Sequence, residues 1–468
     1  MNLSSWARTV VRILGVFWLC SAAPASFVQA EEVRRPNIIV LLADDMGYAD
    51  VGFQGCRDIP TPHLDALSRA SVRCTNGYVS GPYCSPSRAG LLTGRYQQRF
   101  GHEFNPERDR RAGLPVSEIT LVERLRSAGY ATGLIGKWHL GIAPRFHPQK
   151  RGFDEFFGFL GGMHTYFAGS SRDIYRGTKA VQEPVYLTHA LSREAESFLD
   201  RHQDSPFFLE VAFNAVHTPM DATDDRLARF SSIPNQTRRT YAAMMSAMDD
   251  AIGVILNKVH SLGLEEETLI FFLSDNGGPT LRGTTVNGSR NDPFRGSKRT
   301  TLEGGIHVPF LVKWKGRLPA GSVYDQPVIQ LDILPTALAA AGFPIPAEWG
   351  VDGVDLLPHL LGRKEMPPHD TLYWRLGPQA AIRRGDWKLV RYDLQVEATG
   401  LTVSASRSEP AVGPFRLYNL TEDLGEKSDL SSKHPDKVRE LTLAWEEWNH
   451  QLAHPLWGPG GEHSGNDR

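Results

Sequence analysis

Short apolar runs alternate with segments of helical periodicity along the first two-thirds of the chain. Four of the runs predict buried strands, at Asn37 to Ala43, Ala131 to Gly136, Phe207 to Phe213 and Thr268 to Leu273. Segments with helical spacing begin near Thr61-Pro62, at Ser117, at Thr188 and at Thr240. Strands that alternate with helices in this way predict an α/β fold built on a large, mostly parallel sheet.

Polar residues follow each predicted strand, directly or after a short turn. They are Asp44 and Asp45 after the first strand, Lys137 and His139 after the second, His217 after the third, and Asp275 and Asn276 after the fourth. In open α/β sheets, ligands bind beyond the carboxyl ends of the strands, so we expect these side chains at one edge. Many strands end in a polar turn, and the adjacent aspartates and the Lys–His pair therefore carry most of the argument.

The pattern changes towards the C-terminus. Short strands are predicted at Gln379 to Arg383, Trp387 to Arg391 and Phe415 to Leu420, and a helix from Pro435 to Leu452. The segment from Glu397 to Pro414 is rich in Ser, Thr, Gly and Ala and predicts a loop. We therefore expect a larger domain at residues 31–367 and a smaller domain, an antiparallel sheet with a helix, at residues 368–468.

The N-terminal segment from Met1 to Ala30 has the features of a secretory signal. Arg8 and Arg12 precede a short apolar stretch, Val28-Gln29-Ala30 supplies small residues for cleavage, and the first acidic residue is Glu31. An amphipathic or membrane-anchoring N-terminus is the alternative. We expect export, to the periplasm or the exterior if the host is bacterial, and no later run is long and apolar enough for a membrane helix.

Charge and cysteine content exclude further classes of protein. The 51 Lys and Arg residues nearly balance 53 Asp and Glu residues, which argues against a nucleic-acid-binding protein. After the signal segment only Cys56, Cys74 and Cys84 remain, too few for a disulfide framework. Cys56 and Cys74 are either a disulfide or two free thiols.

The strongest chemical signal is the segment from Cys84 to Arg95, CSPSRAGLLTGR. Pro86 suits the opening of a helix, and Cys84 would lie just before it, where free backbone N–H groups favour an anion. Arg88, one turn later, adds a fixed positive charge. A buried cysteine beside a capped helix is the alternative. The segment, however, closely resembles the signature of the formylglycine-dependent sulfatases, in which a maturation enzyme oxidises the cysteine to an aldehyde.

The resemblance extends from about Pro36 to Pro309, and it implies an alkaline phosphatase-like fold with a smaller C-terminal antiparallel sheet and helix. It also implies a role for each polar segment. The metal-binding residues would be Asp44, Asp45, Asp275, Asn276 and the modified Cys84, and the catalytic residues Arg88, Lys137, His139, His217 and Lys298, with His164 or Tyr166 as further substrate contacts.

The residue types suit the implied chemistry. Carboxylate and amide oxygens favour calcium or magnesium over zinc, and loop-borne ligands favour a single calcium ion. One hydroxyl of the hydrated aldehyde would attack sulfur, and His217 or Lys298 would protonate the leaving alcohol. His139 would take a proton from the second hydroxyl, so that sulfate leaves as the aldehyde re-forms. Arg88, Lys137 and Lys298 would stabilise charge on the transferring group.

Three functions are compatible with these residues. The leading hypothesis is a hydrolase for sulfate esters of a sulfated carbohydrate, with the sugar selected by loops at Gly161 to Arg176 and Pro279 to Asp292. The alternatives are a phosphate or phosphonate ester hydrolase on the same scaffold and a non-catalytic binding protein.

Other polar and aromatic residues receive ordinary structural interpretations. We expect surface or turn positions for His102, His147, His189 and His202. Asp249 and Asp250 are expected on a solvated or ion-paired helix face, and Trp445 and Trp448 in side-chain packing.

Overall fold

The computed structural model describes residues 35–106, 109–169, 173–281, 284–394 and 412–458. The predicted signal segment and most of the predicted loop from Glu397 to Pro414 lie outside these ranges. No helix within them combines the length and apolarity needed to cross a membrane. Cys56, Cys74 and Cys84 are all free thiols, so the first two do not form a disulfide.

The described residues contain sixteen strands and ten α-helices. The strands are β1 (Asn37–Ala43), β2 (Val72–Cys74), β3 (Gly77–Tyr78), β4 (Ala131–Lys137), β5 (Glu155–Phe159), β6 (Ile174–Arg176), β7 (Lys179–Val181), β8 (Phe207–Ala212), β9 (Thr268–Ser274), β10 (Phe310–Trp314), β11 (Val323–Tyr324), β12 (Val328–Ile329), β13 (Thr371–Leu376), β14 (Gln379–Arg384), β15 (Trp387–Arg391) and β16 (Arg416–Asn419). The helices are α1 (Pro62–Arg69), α2 (Cys84–Thr93), α3 (Leu121–Ser127), α4 (Leu187–His202), α5 (Asp224–Arg229), α6 (Gln236–Ser261), α7 (Glu303–Ile306), α8 (Ile333–Ala340), α9 (Leu357–Leu360) and α10 (Pro435–Asn449).

Ten strands form one mixed sheet in the order β11-β2-β10-β9-β1-β8-β4-β5-β6-β7. The five central strands, β9, β1, β8, β4 and β5, are parallel, and antiparallel pairs flank them on both sides. This arrangement confirms the predicted α/β class. It also places the carboxyl ends of the four strands predicted from the sequence at one edge.

Helices cover both faces of the sheet. Side chains alternate between the two faces along each strand, so each strand contributes to both cores. Ile39 and Leu41 of β1 lie in a core with apolar residues of α4 and α6. Ile38 and Val40 lie in the opposite core, with residues of α2, α3 and α8. The central strands are therefore buried on both sides, which explains their continuous apolar sequences.

The C-terminal strands β13 to β16 form the predicted antiparallel sheet, and α10 packs on it. Trp445 and Trp448 belong to this core, and the Trp448 ring stacks on Tyr373 with centroids 5.0 Å apart. Their predicted role in packing is confirmed. The Trp374 indole N–H donates to the carbonyl of Val79, 2.7 Å away, and connects this sheet with the main body.

Two local predictions were wrong. The helix expected from Ser117 begins at Leu121, with Thr120 as its N-cap, because Thr120 has Glu123 three residues later and forms a capping box with it. Asp249 and Asp250 were expected on a solvated or ion-paired face; Asp250 is ion-paired with Arg226 at 2.8 Å, but Asp249 is buried. Its carboxylate accepts the backbone N–H groups of His63 and Leu64 at 3.1 and 2.8 Å and so caps the first turn of α1.

Candidate active site

Acidic residues from two neighbouring parallel strands meet at the carboxyl edge of the sheet. Asp44 and Asp45 follow β1, Asp275 and Asn276 follow β9, and all four are buried. The Asp45 backbone N–H donates to Asp275 Oδ1 at 3.3 Å, and Asn276 Nδ2 donates to Asp45 Oδ1 at 2.8 Å. Asp45 has a φ of 62°, an uncommon conformation for a residue other than glycine. The sequence prediction that these residues gather at one edge is met.

Cys84 faces this acidic group from α2. It is the first residue of the helix rather than the residue before it, with Tyr83 at the N-cap. Its Sγ lies 3.7 Å from Asp44 Oδ1 and 3.9 Å from Asp45 Oδ1. Burial raises the pKa of the thiol far above its ordinary value, with Lys137 acting in the opposite direction. The unmodified side chain is therefore a neutral thiol at physiological pH.

A lysine ammonium contacts each of the two adjacent aspartates. Lys137 Nζ lies 2.6 Å from Asp44 Oδ2, and Lys298 Nζ lies 2.7 Å from Asp45 Oδ1. Burial raises the pKa of Asp44 to about 7, although Lys137 opposes the shift and the neighbouring carboxylates add to it. Burial also acts to raise the pKa of Asp45, but Lys298 and His217 outweigh it and lower that pKa.

Arg88 connects the helix to the second acidic pair. Its Nε and one terminal nitrogen donate to Asp275 Oδ2 at 3.0 and 2.8 Å, and its other terminal nitrogen donates to the Lys137 carbonyl at 3.1 Å. Behind it, Glu210 projects from the middle of β8 into the buried interior, with Oε2 unpaired. Burial raises the pKa of Glu210 to about 7, and Arg88 opposes the shift. Sequence reasoning missed this carboxylate, although a single charge inside FFLEVAF was its signal.

Two histidines border the acidic group. His217 Nδ1 lies 2.6 Å from the Thr218 carbonyl and donates to it, so the neutral ring has no proton on Nε2. That Nε2 lies 3.5 Å from Asp45 Oδ2. Burial lowers the pKa of His217 to about 3, although Asp45 opposes the shift. Burial and the nearby cations, Lys137 first among them, hold the pKa of His139 well below its usual range. Both rings are therefore neutral at physiological pH.

A buried hydrogen-bonded chain fixes the backbone of His139, which has a φ of 60°. The Ser85 hydroxyl donates to the His139 carbonyl at 2.6 Å, and His102 Nε2 lies 2.6 Å from the same hydroxyl oxygen. Because the single hydroxyl proton is used at the carbonyl, His102 Nε2 must be the donor. The expected surface or turn position of His102 is wrong, since the residue is fully buried against the Trp457 ring.

A cavity of about 740 Å³ opens above the acidic group. Its lining includes His139, His164, His217 and Lys298, together with parts of both loops that were expected to select the sugar. Tyr166, the other suggested substrate contact, is buried, and its hydroxyl lies 2.6 Å from the Asn214 carbonyl and 2.9 Å from that of His217. It supports the turn that carries His217.

Two residues of the loop from Pro279 to Asp292 contact the acidic group, and the sequence did not predict either contact. The Thr285 hydroxyl donates to Asp45 Oδ2 at 3.2 Å. Asn287 Nδ2 donates to the backbone carbonyls of Asp45 and Val216, at 3.1 and 2.9 Å. Asn287 thereby ties the segments after β1 and β8 to this loop.

The carboxylate and amide oxygens at this edge fit a divalent cation. Potential ligand atoms of Asp44, Asp45, Cys84 and His217 lie within 4.8 Å of one another, and Asn276 Oδ1 beside them is buried without a hydrogen-bond partner. Burial and the neighbouring Asp275 and Asp45 raise the pKa of Asp44 more than Lys137 and Arg88 lower it. The carboxylate and amide oxygens of this group are the ligands that calcium and magnesium prefer, whereas the Cys84 sulfur and the His217 nitrogen are not.

Comparisons with known proteins point to one family. A family model described as Sulfatase matches residues 36–343. The N-acetylgalactosamine-6-sulfatase of Canis lupus familiaris is 36% identical over 380 residues, which cover 76% of this chain and 71% of that protein. Arylsulfatase A of Bos taurus is 34% identical over 453 residues, 88% of this chain and 86% of that protein. The crystal structure of Ps i-CgsB in complex with k-i-k-neocarrahexaose has a TM-score of 0.82 at 35% identity, covering 91% of this chain and 95% of that one.

Proposed function

Because this chain belongs to the sulfatase family and is a sulfuric ester hydrolase, we propose that it removes sulfate from a sulfated carbohydrate, with residue 84 acting as formylglycine. The observation that carries the proposal is the position of Cys84, whose Sγ lies 3.7 and 3.9 Å from carboxylate oxygens of Asp44 and Asp45. A nucleophile here would lie beside the group of residues that can hold a cation.

The state of the thiol supports the need for its modification. A thiol whose pKa is raised by burial is a poor nucleophile, because only the thiolate attacks efficiently. The hydrated aldehyde supplies one hydroxyl for attack on sulfur and a second hydroxyl through which sulfate can be released. A maturation enzyme that recognises the segment from Cys84 to Arg95 would carry out the oxidation.

One calcium ion is the proposed metal cofactor, held by Asp44, Asp45, Asp275, Asn276 and residue 84. When bound, it would stabilise negative charge on the sulfate oxygens and favour an ionised hydroxyl at residue 84. The protein orients these ligands through its own contacts. Arg88 holds Asp275 by two hydrogen bonds, at 3.0 and 2.8 Å, and so fixes the direction of its carboxylate.

The proton-transfer roles follow from the charge states. Burial opposes the charge on Lys298, but Asp45 outweighs that effect and holds the pKa of Lys298 well above its usual value. Of the two candidates to protonate the leaving alcohol, Lys298 thus carries a proton at neutral pH, whereas His217 is neutral. Neutral His139 can accept a proton from residue 84. Lys298, His217 and His139 all line the cavity.

A carbohydrate substrate is supported by the relatives and by the cavity. Two of the similar proteins are named for, or bound to, sugars: an N-acetylgalactosamine-6-sulfatase and a protein in complex with a neocarrahexaose. A cavity of about 740 Å³ lies in the ordinary size range of ligand sites and can hold more than a sulfate group. Export through the segment from Met1 to Ala30 is part of the same proposal, because it would bring the enzyme to an extracellular or periplasmic glycan. N-terminal sequencing of the secreted protein would locate the cleavage site.

The test is a desulfation panel with protein produced alongside a maturation enzyme. The panel contains sulfated galactose and galactosamine oligosaccharides, aryl sulfates and phosphate monoesters, and peptide mass spectrometry establishes conversion of Cys84, which removes about 18 Da. We expect turnover of at least one sulfated sugar by the converted protein and none by Cys84→Ala. Turnover of aryl sulfates alone would refute the carbohydrate assignment, and faster turnover of phosphate monoesters would favour the phosphatase alternative.

A further inference from the structure

Arg299 presents a positive charge in the cavity next to Lys298. It is exposed and lines the cavity wall, and its guanidinium carbon lies 5.6 Å from the centre of the Tyr83 ring. Lys298 Nζ lies 5.6 Å from the same centre, so the two charges cannot be further apart than twice this distance. A group bound at Arg299 would therefore lie close to a sulfate bound at Lys298.

The backbone holds Arg299 in an unfavourable conformation. Its φ of 72° lies in the left-handed region, which is strained for a residue other than glycine. The Arg299 N–H donates to the Pro82 carbonyl at 2.7 Å, and its own carbonyl accepts Gln379 Nε2 at 2.8 Å. The loop before α2 and the first residue of β14 thus fix this residue on both sides.

The charge of Arg299 is not compensated within the described ranges. Neither Arg299 nor Arg110, a second arginine on the cavity wall, forms an ion pair with a carboxylate there. Among the described lining residues, Asp173 is the one carboxylate, and it accepts the Tyr175 hydroxyl at 3.2 Å. A planar guanidinium binds sulfate or carboxylate through two parallel hydrogen bonds, which a neutral hydroxyl cannot match.

We propose that Arg299, with Arg110, forms a subsite for a second anionic group of the substrate, a sulfate or a carboxylate on the sugar next to the scissile ester. This inference rests on the proposed function, which places Lys298 at the leaving alcohol of the scissile sulfate ester. It implies that the enzyme prefers glycans that carry at least two negative charges over singly sulfated sugars.

The test measures binding by calorimetry at 0.15 M salt in the Cys84→Ala background, so that no hydrolysis interferes. The probes are dextran sulfate oligosaccharides and, as a carboxylate source, oligogalacturonate, with neutral dextran as the blank. The main variant is Arg299→Gly, because glycine adopts the observed φ freely and the fold should be kept. Arg363→Ala, an exposed arginine outside the cavity lining, is the matched control.

We expect Arg299→Gly to weaken binding of at least one probe about 5- to 10-fold, which corresponds to about 1 to 1.4 kcal/mol. Arg110→Ala should weaken it in the same direction, Arg299→Lys should be intermediate, and Arg363→Ala should match the parent. Binding of only one probe identifies the anion. Equal binding by Arg299→Gly and the parent, an equal loss in Arg363→Ala, or no binding at all would overturn the inference.

The two proposals fail separately. Arg299-dependent binding by a protein that desulfates no sugar in the panel would refute the carbohydrate assignment but keep Arg299 as an anion-binding subsite of the cavity. Efficient desulfation with binding that does not depend on Arg299 would keep the function and refute the subsite.

Discussion

Glu210 provides a quantitative test of the electrostatics beneath the active site. The side chain is 4% exposed, lies on the central strand β8 and has Oε2 unpaired. Because burial outweighs the attraction of Arg88, the native carboxyl has a pKa of about 7, against 4.5 for an ordinary glutamate. Replacement by glutamine keeps the shape and removes the ionisable group.

The expected magnitude follows from proton linkage. Between these two pKa values the native protein binds more protons than the unfolded chain, so ionisation of Glu210 destabilises the fold as the pH rises. The shift corresponds to about 3 kcal/mol, most of which develops between pH 5 and pH 8. Glu210→Gln lacks this penalty, and its unfolding free energy relative to wild type should rise by about 2–3 kcal/mol over that range.

The assay is urea unfolding of wild type and Glu210→Gln at a series of pH values from 5 to 8, with constant metal concentration. Glu266→Gln, at an exposed position in the loop before β9, makes the same chemical change at the surface. We expect that control to differ from wild type by less than about 0.5 kcal/mol at every pH.

The decisive quantity is the slope of the difference with pH rather than the difference at one pH. If the unfolding free energy of Glu210→Gln relative to wild type stays constant or falls from pH 5 to 8, the reasoning is refuted. Such a result would mean that the native carboxylate is compensated as an ion, most directly by Arg88.

Three further predictions concern other parts of the molecule. A methyl group on Gly162 would lie 2.5 Å from His139 Nε2, so Gly162→Ala should displace that ring and lower kcat about 10- to 100-fold in steady-state assays, and unchanged kcat would contradict the role of His139. Lys388 bridges buried Glu303 and Glu426 at 2.7 and 2.9 Å, so Lys388→Met should cost about 3–5 kcal/mol in urea unfolding, and a loss below about 1 kcal/mol would contradict it. Removal of divalent ions with EDTA should lower both Tm and activity, and calcium should restore both better than magnesium; full activity after exhaustive chelation would refute the metal assignment.

Much of the site could be predicted from short-range patterns. The strands at Asn37 to Ala43 and Thr268 to Leu273 are continuous apolar runs, as strands of a sheet buried on both faces are. Parallel strands all point the same way, so the residues after them gather at one edge without any knowledge of the loops. The segment from Cys84 to Arg95 is one continuous motif, and its resemblance to the sulfatases is confirmed.

Other parts depend on contacts between segments that are far apart in the chain. His102 was expected at the surface or in a turn, because nothing near it in the sequence shows that Ser85 and Trp457 enclose it. Asp249 was expected on a solvated or ion-paired helix face, but it caps α1 at Leu64, 185 residues earlier in the sequence. Such contacts leave no periodic pattern in the sequence, because each of them joins a single pair of distant segments.

By itself, the sequence determined the α/β class, the acidic pairs, the cysteine motif and the family. Each of these is visible in short contiguous segments, where the spacing of apolar and polar residues follows from the local backbone structure. The tertiary structure alone decided how the charges are paired, which histidines are neutral, and that Arg299 stands in the cavity in a left-handed conformation. Those properties depend on burial and on distances between remote segments. Burial and distance set the pKa values and the electrostatic energies from which the chemistry follows.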